Sequence, residues 1–197
     1  MKRLSIALLC LLLAGVCACG RAGKSDPYSK VIKEYQGYRE TYYYALHDID
    51  GNGTEELLLG GEQWGGEVDL LGVYTIQSGV AVPQEEFNIW GEGGSISPSW
   101  IFKNGTIKVD LNNEEPRYNY YCFVDEELKL QATLIKQLQV FDWDNQVYYD
   151  EFFRVSENGE WPGTSLTKEE FEQAMKELEG DGQVVVIDWK PLAEYER

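Results

Sequence analysis

Histidine occurs once in this chain of 197 residues, at His47, and cysteine only four times, three of them in the first nineteen positions. A zinc site built on a histidine cluster is therefore excluded, and so is a thiolate cage. Cys122 stands alone beyond position 19, in Tyr120-Tyr121-Cys122-Phe123, so no intrachain disulfide is expected. Among those aromatics it reads as a small buried apolar residue rather than a reactive thiol. Basic residues are scarce too: 17 lysines and arginines face 34 aspartates and glutamates, for a formal charge of -17. Such a surface repels phosphate backbones, and no basic stripe offsets it, which excludes nucleic acid as a partner. Nor does any apolar run reach comfortably across the roughly 30 Å core of a bilayer as a helix.

What the chain does have starts at its first residues. Lys2 and Arg3 precede an apolar stretch over 4–16, which gives way to small residues, the three-part plan of a secretory signal. Val16-Cys17-Ala18-Cys19 then places an aliphatic residue three before a cysteine and a small residue immediately before it. This segment resembles the lipobox of bacterial lipoproteins, with Cys17 an unusual occupant of the middle position. The resemblance implies that Cys19 is lipidated and that acyl chains such as palmitate hold the protein at the extracytoplasmic face of the cell membrane. Two or more chains, at about 0.8 kcal/mol per buried methylene, anchor stably without a transmembrane helix. Two alternatives stand beside this register. One lipidates Cys17, which puts the bulky Val16 at the cleavage position; the other is an ordinary secretory signal that releases a soluble protein. The preferred division is a signal peptide over 1–18, Cys19 with a flexible tether over 19–26, and a single globular domain over 27–197. Removing Lys2 and Arg3 with the signal takes the formal charge from -17 to about -19.

Asp26 and Pro27 supply a helix cap and a first-turn proline, and Tyr28, Val31, Ile32 and Tyr35 follow at helical spacing, predicting a short amphipathic helix that ends near Gly37. From residue 42 to about 156 the pattern is β-branched and aromatic runs punctuated by Gly, Asn and Asp. Strands are expected over 42–47, 56–60, 70–76, 96–103, 106–111, 118–124, 128–138 and 147–155. Asn104-Gly105 between two such runs predicts a two-residue hairpin in which both residues take positive φ. Thr167-Lys168-Glu169-Glu170 is a capping box, and Phe171, Ala174, Met175 and Leu178 share one face of a helix over 168–179 that stops at Gly180. Residues 184–189 read as a last strand returned to the sheet. The fold class expected is α+β: an antiparallel β-meander sheet packed with an N-terminal and a C-terminal helix.

One loop carries recognisable chemistry. Asp48-Ile49-Asp50-Gly51-Asn52-Gly53-Thr54-Glu55-Glu56 alternates hard oxygen ligands with a glycine at the bend. It resembles the calcium loops of EF-hands, dockerins and the repeats of calcium-binding β-propellers. On that pattern Asp48, Asp50 and Asn52 take the first three side-chain positions, Thr54 offers its backbone carbonyl and Glu56 takes the ninth position, so the resemblance implies a structural Ca2+. Leu59 stands where an EF-hand has a bidentate glutamate, and the flanks read as strands, which brings the match closer to the strand-loop-strand form. A plain acidic hairpin turn accounts for Asp-Gly-Asn-Gly, but not for three alternating oxygens, the glycine and the acid together. Asp142-Trp143-Asp144-Asn145-Gln146 alternates oxygens as well, without the glycine.

Other constellations say less. His47, isolated at a strand end, reads as a packing or hydrogen-bonding residue. Ser165-Leu166-Thr167-Lys168 has the spacing of a serine-lysine nucleophile but is explained by the helix start. Carboxylate pairs such as Glu85-Glu86, Glu114-Glu115 and Asp150-Glu151 are what 34 acids produce by chance. Trp64, Trp90 and Trp161 lie in glycine-rich or turn-rich segments, where exposed rings bind sugar faces or peptides; the alternative is that they belong to the core of an aromatic-rich sheet. The function expected is a non-enzymatic, membrane-anchored, calcium-stabilised binding domain for an extracellular ligand such as a glycan or peptide. The alternative is an extracytoplasmic hydrolase using a carboxylate pair.

The anchor is checked by fractionating cells that express the chain: Cys19→Ser moves the protein from the membrane pellet to the soluble fraction. A variant that still sediments with membranes removes the lipid from the account.

Overall fold

Leu57, Leu58 and Leu59 form an apolar run without alternation, the pattern of a strand covered on both faces. That strand is the centre of the fold. The computed structural model describes residues 26–36, 42–62, 66–87, 97–111, 115–156 and 163–195. The signal region, Cys19, Gly37 and the three tryptophans Trp64, Trp90 and Trp161 lie outside these residues.

After helix α1 (Ser29–Gln36) come β1 (Tyr42–His47), β2 (Glu56–Glu62), β3 (Val68–Gln77) and β4 (Val80–Pro83). With β11 (Lys190–Pro191) they form one antiparallel sheet in the order β11-β1-β2-β3-β4. The second sheet contains β5 (Ser99–Ile101), β6 (Ile107–Asp110), β7 (Arg117–Val124), β8 (Glu127–Asp142), β9 (Val147–Ser156) and β10 (Thr164–Leu166), hydrogen-bonded in reverse chain order. Helix α2 (Lys168–Glu179) follows, and a 3-10 turn (Leu192–Glu194) comes after β11. The class is α+β with antiparallel strands and a helix near each end, as expected, and the meander is divided between two sheets.

The division follows from which faces are apolar. Leu58, Ala45, Ile49, Leu70 and Val73 of the first sheet and its loop share one buried cluster with Ile101, Ile107, Val109, Tyr121 and Leu128 of the second. Leu57 and Leu59, on the opposite face of β2, pack instead with Tyr28 and Ile32 of the α1 segment and with Leu192 and Tyr195. On the far face of the second sheet, Tyr120 and Leu134 meet Phe171 and Ala174 of α2. The layers therefore run helix, sheet, sheet, helix. Each buried leucine in β2 contributes about 1.5–3 kcal/mol relative to an exposed one.

The local signals act as their chemistry requires. Asp26 accepts a hydrogen bond from the Tyr28 amide (3.0 Å) at the start of α1. Thr167 and Glu170 form the reciprocal capping box of α2, with bonds of 2.7 and 3.2 Å. Two expectations need correction. Asn104-Gly105 does not close a two-residue hairpin: Gly105 alone takes positive φ (83°), and the loop is longer, with the Phe102 amide bonded to the Thr106 carbonyl at 2.8 Å. The Asn104 side chain is drawn instead to the C-terminus of α2, where its Nδ2 donates to the Leu178 carbonyl at 2.9 Å. Residues 184–189 likewise do not form a strand. Val184 bridges Phe102 of the second sheet and Val185 donates to the Ile101 carbonyl at 2.7 Å, whereas Lys190 and Pro191 pair with Tyr44 and Tyr43 of the first. The segment is a strap between two sheets, so its residues cannot stay in one ladder.

Trp189 of the strap lies over Gly60 of β2, at the register shift against β3. A Cβ at residue 60 would meet Val68 Cγ1 at 2.6 Å and the Trp189 ring at 2.9 Å. Gly60→Ala is expected to destabilise the domain by about 1–3 kcal/mol and Thr167→Ala by about 1 kcal/mol, both read from urea denaturation. A Gly60→Ala protein as stable as the parent would show that the strap is not seated against β2.

Candidate metal centre

The loop over 48–55 joins β1 to β2, and His47 and Glu56 are direct partners in the ladder at its base. This is the strand-loop-strand form that the sequence predicts. Ile49 turns into the core between the sheets and is buried. Its carbonyl sits 2.8 Å from where a Cβ on Gly105 would be, so the loop is seated against the β5–β6 turn. At its other end the Tyr28 hydroxyl donates to the Glu55 carbonyl at 2.7 Å.

With Ile49 anchored inward, the acids beside it converge with Glu56. Candidate ligand oxygens of Asp48, Asp50 and Glu56 all lie within 4.8 Å of one another. The loop's own amides take one oxygen from each of the two more buried acids: Gly53 N–H donates to Asp48 Oδ2 and Ile49 N–H to Glu56 Oε2, both at 2.9 Å. The remaining oxygens, Asp48 Oδ1 and Glu56 Oε1, are buried without a hydrogen-bond partner. A buried carboxylate oxygen with no donor is costly, and two beside a third carboxylate are more so. The group could hold a metal ion, and its donors are hard oxygens throughout.

Asn52, another sequence-predicted ligand, is engaged within the loop. Asn52 Oδ1 accepts from the Thr54 amide at 2.7 Å, and its Nδ2 donates to Asp50 Oδ2 at 2.9 Å, which fixes the turn that carries Asp50. Leu59, at the place of the missing twelfth ligand, is buried against the α1 layer inside β2. No side chain at that position of the central strand can reach back to the loop.

Burial pushes the Glu56 carboxyl up to about 7, and the charges of Asp50 and Asp48 push the same way, while the Ile49 amide opposes them. Glu56 is wholly inaccessible to solvent. A substrate cannot touch it, although a proton or a small ion can be held by it.

Other candidates are not drawn together. His47 lines a polar cavity of about 260 Å³ with Tyr44, Glu55, Asp188 and Lys190, outside the carboxylate group. Glu86 is paired with Lys129 and Asp150 with Lys136. The Asp142 carboxylate is folded onto its own turn, accepting from the Asp144 and Asn145 amides and from Asn145 Nδ2. Trp64, Trp90 and Trp161 lie outside the described residues. An exposed aromatic group surrounds Trp143, in a turn whose sequence pattern points only to its alternating oxygens. The signal available was the alternation of Phe141 and Trp143 opposite Tyr148 across a tight turn. Comparison with family models, curated proteins and solved structures finds no match, so the reading rests on geometry.

The sign of the pH dependence follows from Glu56. Its carboxyl holds a proton more tightly in the folded chain than in the unfolded one, so its contribution to stability is complete below about pH 4.5 and is lost as pH rises through about 7. In EDTA, the stability of the parent is expected to fall by on the order of 2–3 kcal/mol across that window relative to Glu56→Gln. Parallel curves for the two proteins, measured by thermal unfolding, would contradict the burial of this charge.

Proposed function

We propose that this chain is a lipid-anchored extracytoplasmic protein whose domain is stapled by one calcium ion and serves in binding rather than catalysis. One observation carries the calcium reading: the two buried, unpartnered oxygens, Asp48 Oδ1 and Glu56 Oε1, in the same carboxylate group as Asp50. Asp48, Asp50 and Glu56 supply carboxylates, and Asn52 and the Thr54 carbonyl complete an oxygen-only set. Oxygen-only donors and net negative charge suit calcium, which accepts six to eight ligands in irregular geometry; magnesium demands near-octahedral placement and sheds water reluctantly. Outside a cell, calcium at millimolar levels meets the weak affinity typical of such modules, on the order of 0.1–1 mM.

A structural role follows from the position of the loop. Bound calcium offsets the repulsion among the three acids and ties the start of β2, the central strand, to the end of β1. Ile49 transmits that tie into the core, and the Tyr28 hydroxyl transmits it to the α1 layer. The ion has no access route for a substrate through Glu56, which favours support over reaction chemistry. The lipid at Cys19 would hold this domain within a short linker's reach of the membrane.

Calorimetric titration of the chelator-treated protein tests the reading. Calcium is expected to bind once, to raise stability by on the order of 1.4 kcal/mol at about ten times its dissociation constant, and to lose its heat in Asp48→Ala and Asp50→Ala. The absence of heat and of any melting shift at millimolar calcium would end it.

A further inference from the structure

Beyond the pairs Gln137↔Glu151 and Phe152↔Leu166, the β8–β9 hairpin runs on without a third strand among the described residues. A bulge between Gln137 and Val140, with Gln139 at φ 58°, re-aims the projecting part. Most of its apolar side chains remain in water: Trp143 is 83% and Tyr148 70% exposed, and Leu138, Val147 and Tyr149 are exposed as well, while Phe141 is half-buried. Phe141 and Tyr148 are opposed in the ladder with ring centroids 4.9 Å apart, and Trp143 sits edge-on to Phe141 at 4.8 Å. A two-stranded ribbon of this kind is marginal by itself, and a clustered aromatic surface marks an interaction site.

Charge selects the occupant. Residues 138–151 contain Asp142, Asp144, Asp150 and Glu151 and no lysine or arginine. At the base of the arm, Lys136 Nζ lies 2.8 Å from Asp150 and 5.8 Å from the centre of the Phe152 ring, a cation held between a carboxylate and an aromatic face. The tip carries its rings and the carboxylates Asp142 and Asp144 within one turn and has no lysine or arginine of its own. A second copy would bring the same acids and the same net charge of -17, which repels. A bilayer would have to desolvate Asp142 and Asp144 at the very end of the arm. The geometry points to the projecting β8–β9 arm as a docking surface for a basic protein segment, one that sets arginine or lysine side chains on Phe141, Trp143 and Tyr148 within reach of the flanking carboxylates. Cation–π contact and ion pairing then act together, and arginine suits both better than lysine.

The inference is independent of the metal and of Cys19. Its test uses the full chain with a fluorescent synthetic peptide of alternating arginine and valine, its glutamate-valine counterpart and phosphatidylcholine vesicles. The arginine peptide is expected to bind, to weaken as salt is added, and to lose about tenfold or more in affinity for Trp143→Ala/Tyr148→Ala, whose melting temperature stays that of the parent. Asp142→Asn/Asp144→Asn weakens binding too. Equal affinity for parent and ring-deleted protein would reduce the effect to bulk charge and overturn the proposal, as would no binding or equal binding of the glutamate peptide. Co-sedimentation with vesicles, or self-association in the ultracentrifuge, that the ring deletions abolish would overturn it in favour of a lipid surface or a second copy.

Discussion

Burial of β2 on both faces governs the layers, the site and the strap. Because Leu57 and Leu59 need a cover on one side and Leu58 on the other, the first sheet must be sandwiched, with α1 against one face and the second sheet against the other. Glu56 opens that strand and inherits its burial. A carboxylate in that place keeps one oxygen satisfied by the Ile49 amide and the other without a donor. The centre of the fold thus creates the electrostatic cost that a cation would relieve.

The same constraint explains why the loop is more than a turn. Ile49 is pulled into the inter-sheet core, Gly105 allows the β5–β6 turn to close over its carbonyl, and Asn104 next to it caps the end of α2. The carboxylate group is therefore coupled through a few short contacts to both sheets and both helical layers. An ion bound there would act on the whole sandwich rather than on one hairpin. The β8–β9 arm is the opposite case: it has no third strand beside it among the described residues, and Trp143, Tyr148 and Tyr149 stay in water. Core and arm divide the labour between stability and contact.

Local chemistry was the legible part. The longer strands, the capping box of α2, the Tyr28-to-Tyr35 stripe and the oxygen pattern of Asp48 to Glu56 all depend on neighbours in the chain, whose spacing sets which face each side chain takes. The partition of the strands into two sheets was not legible, because the leucine run of β2 announces burial on two faces without naming what lies on either. Asn104-Gly105 misled for a related reason: the pair is compatible with a tight hairpin, but the pull of the α2 C-terminus on Asn104 sets the longer loop. Residues 184–189 have strand composition, yet Val184 and Val185 bond to the second sheet while the chain just beyond, at Lys190 and Pro191, pairs with the first.

The sequence by itself determined the α+β class, the positions of both helices and of the longer strands, and which oxygens belong to one loop, since each rests on periodicity, capping or ligand spacing within a short stretch. Only the tertiary structure decided that Asp48 and Glu56 would each keep one oxygen buried and unpartnered, and that Trp143 and Tyr148 would stand in water. Burial is a property of what packs against a residue from distant parts of the chain, and no local pattern contains it.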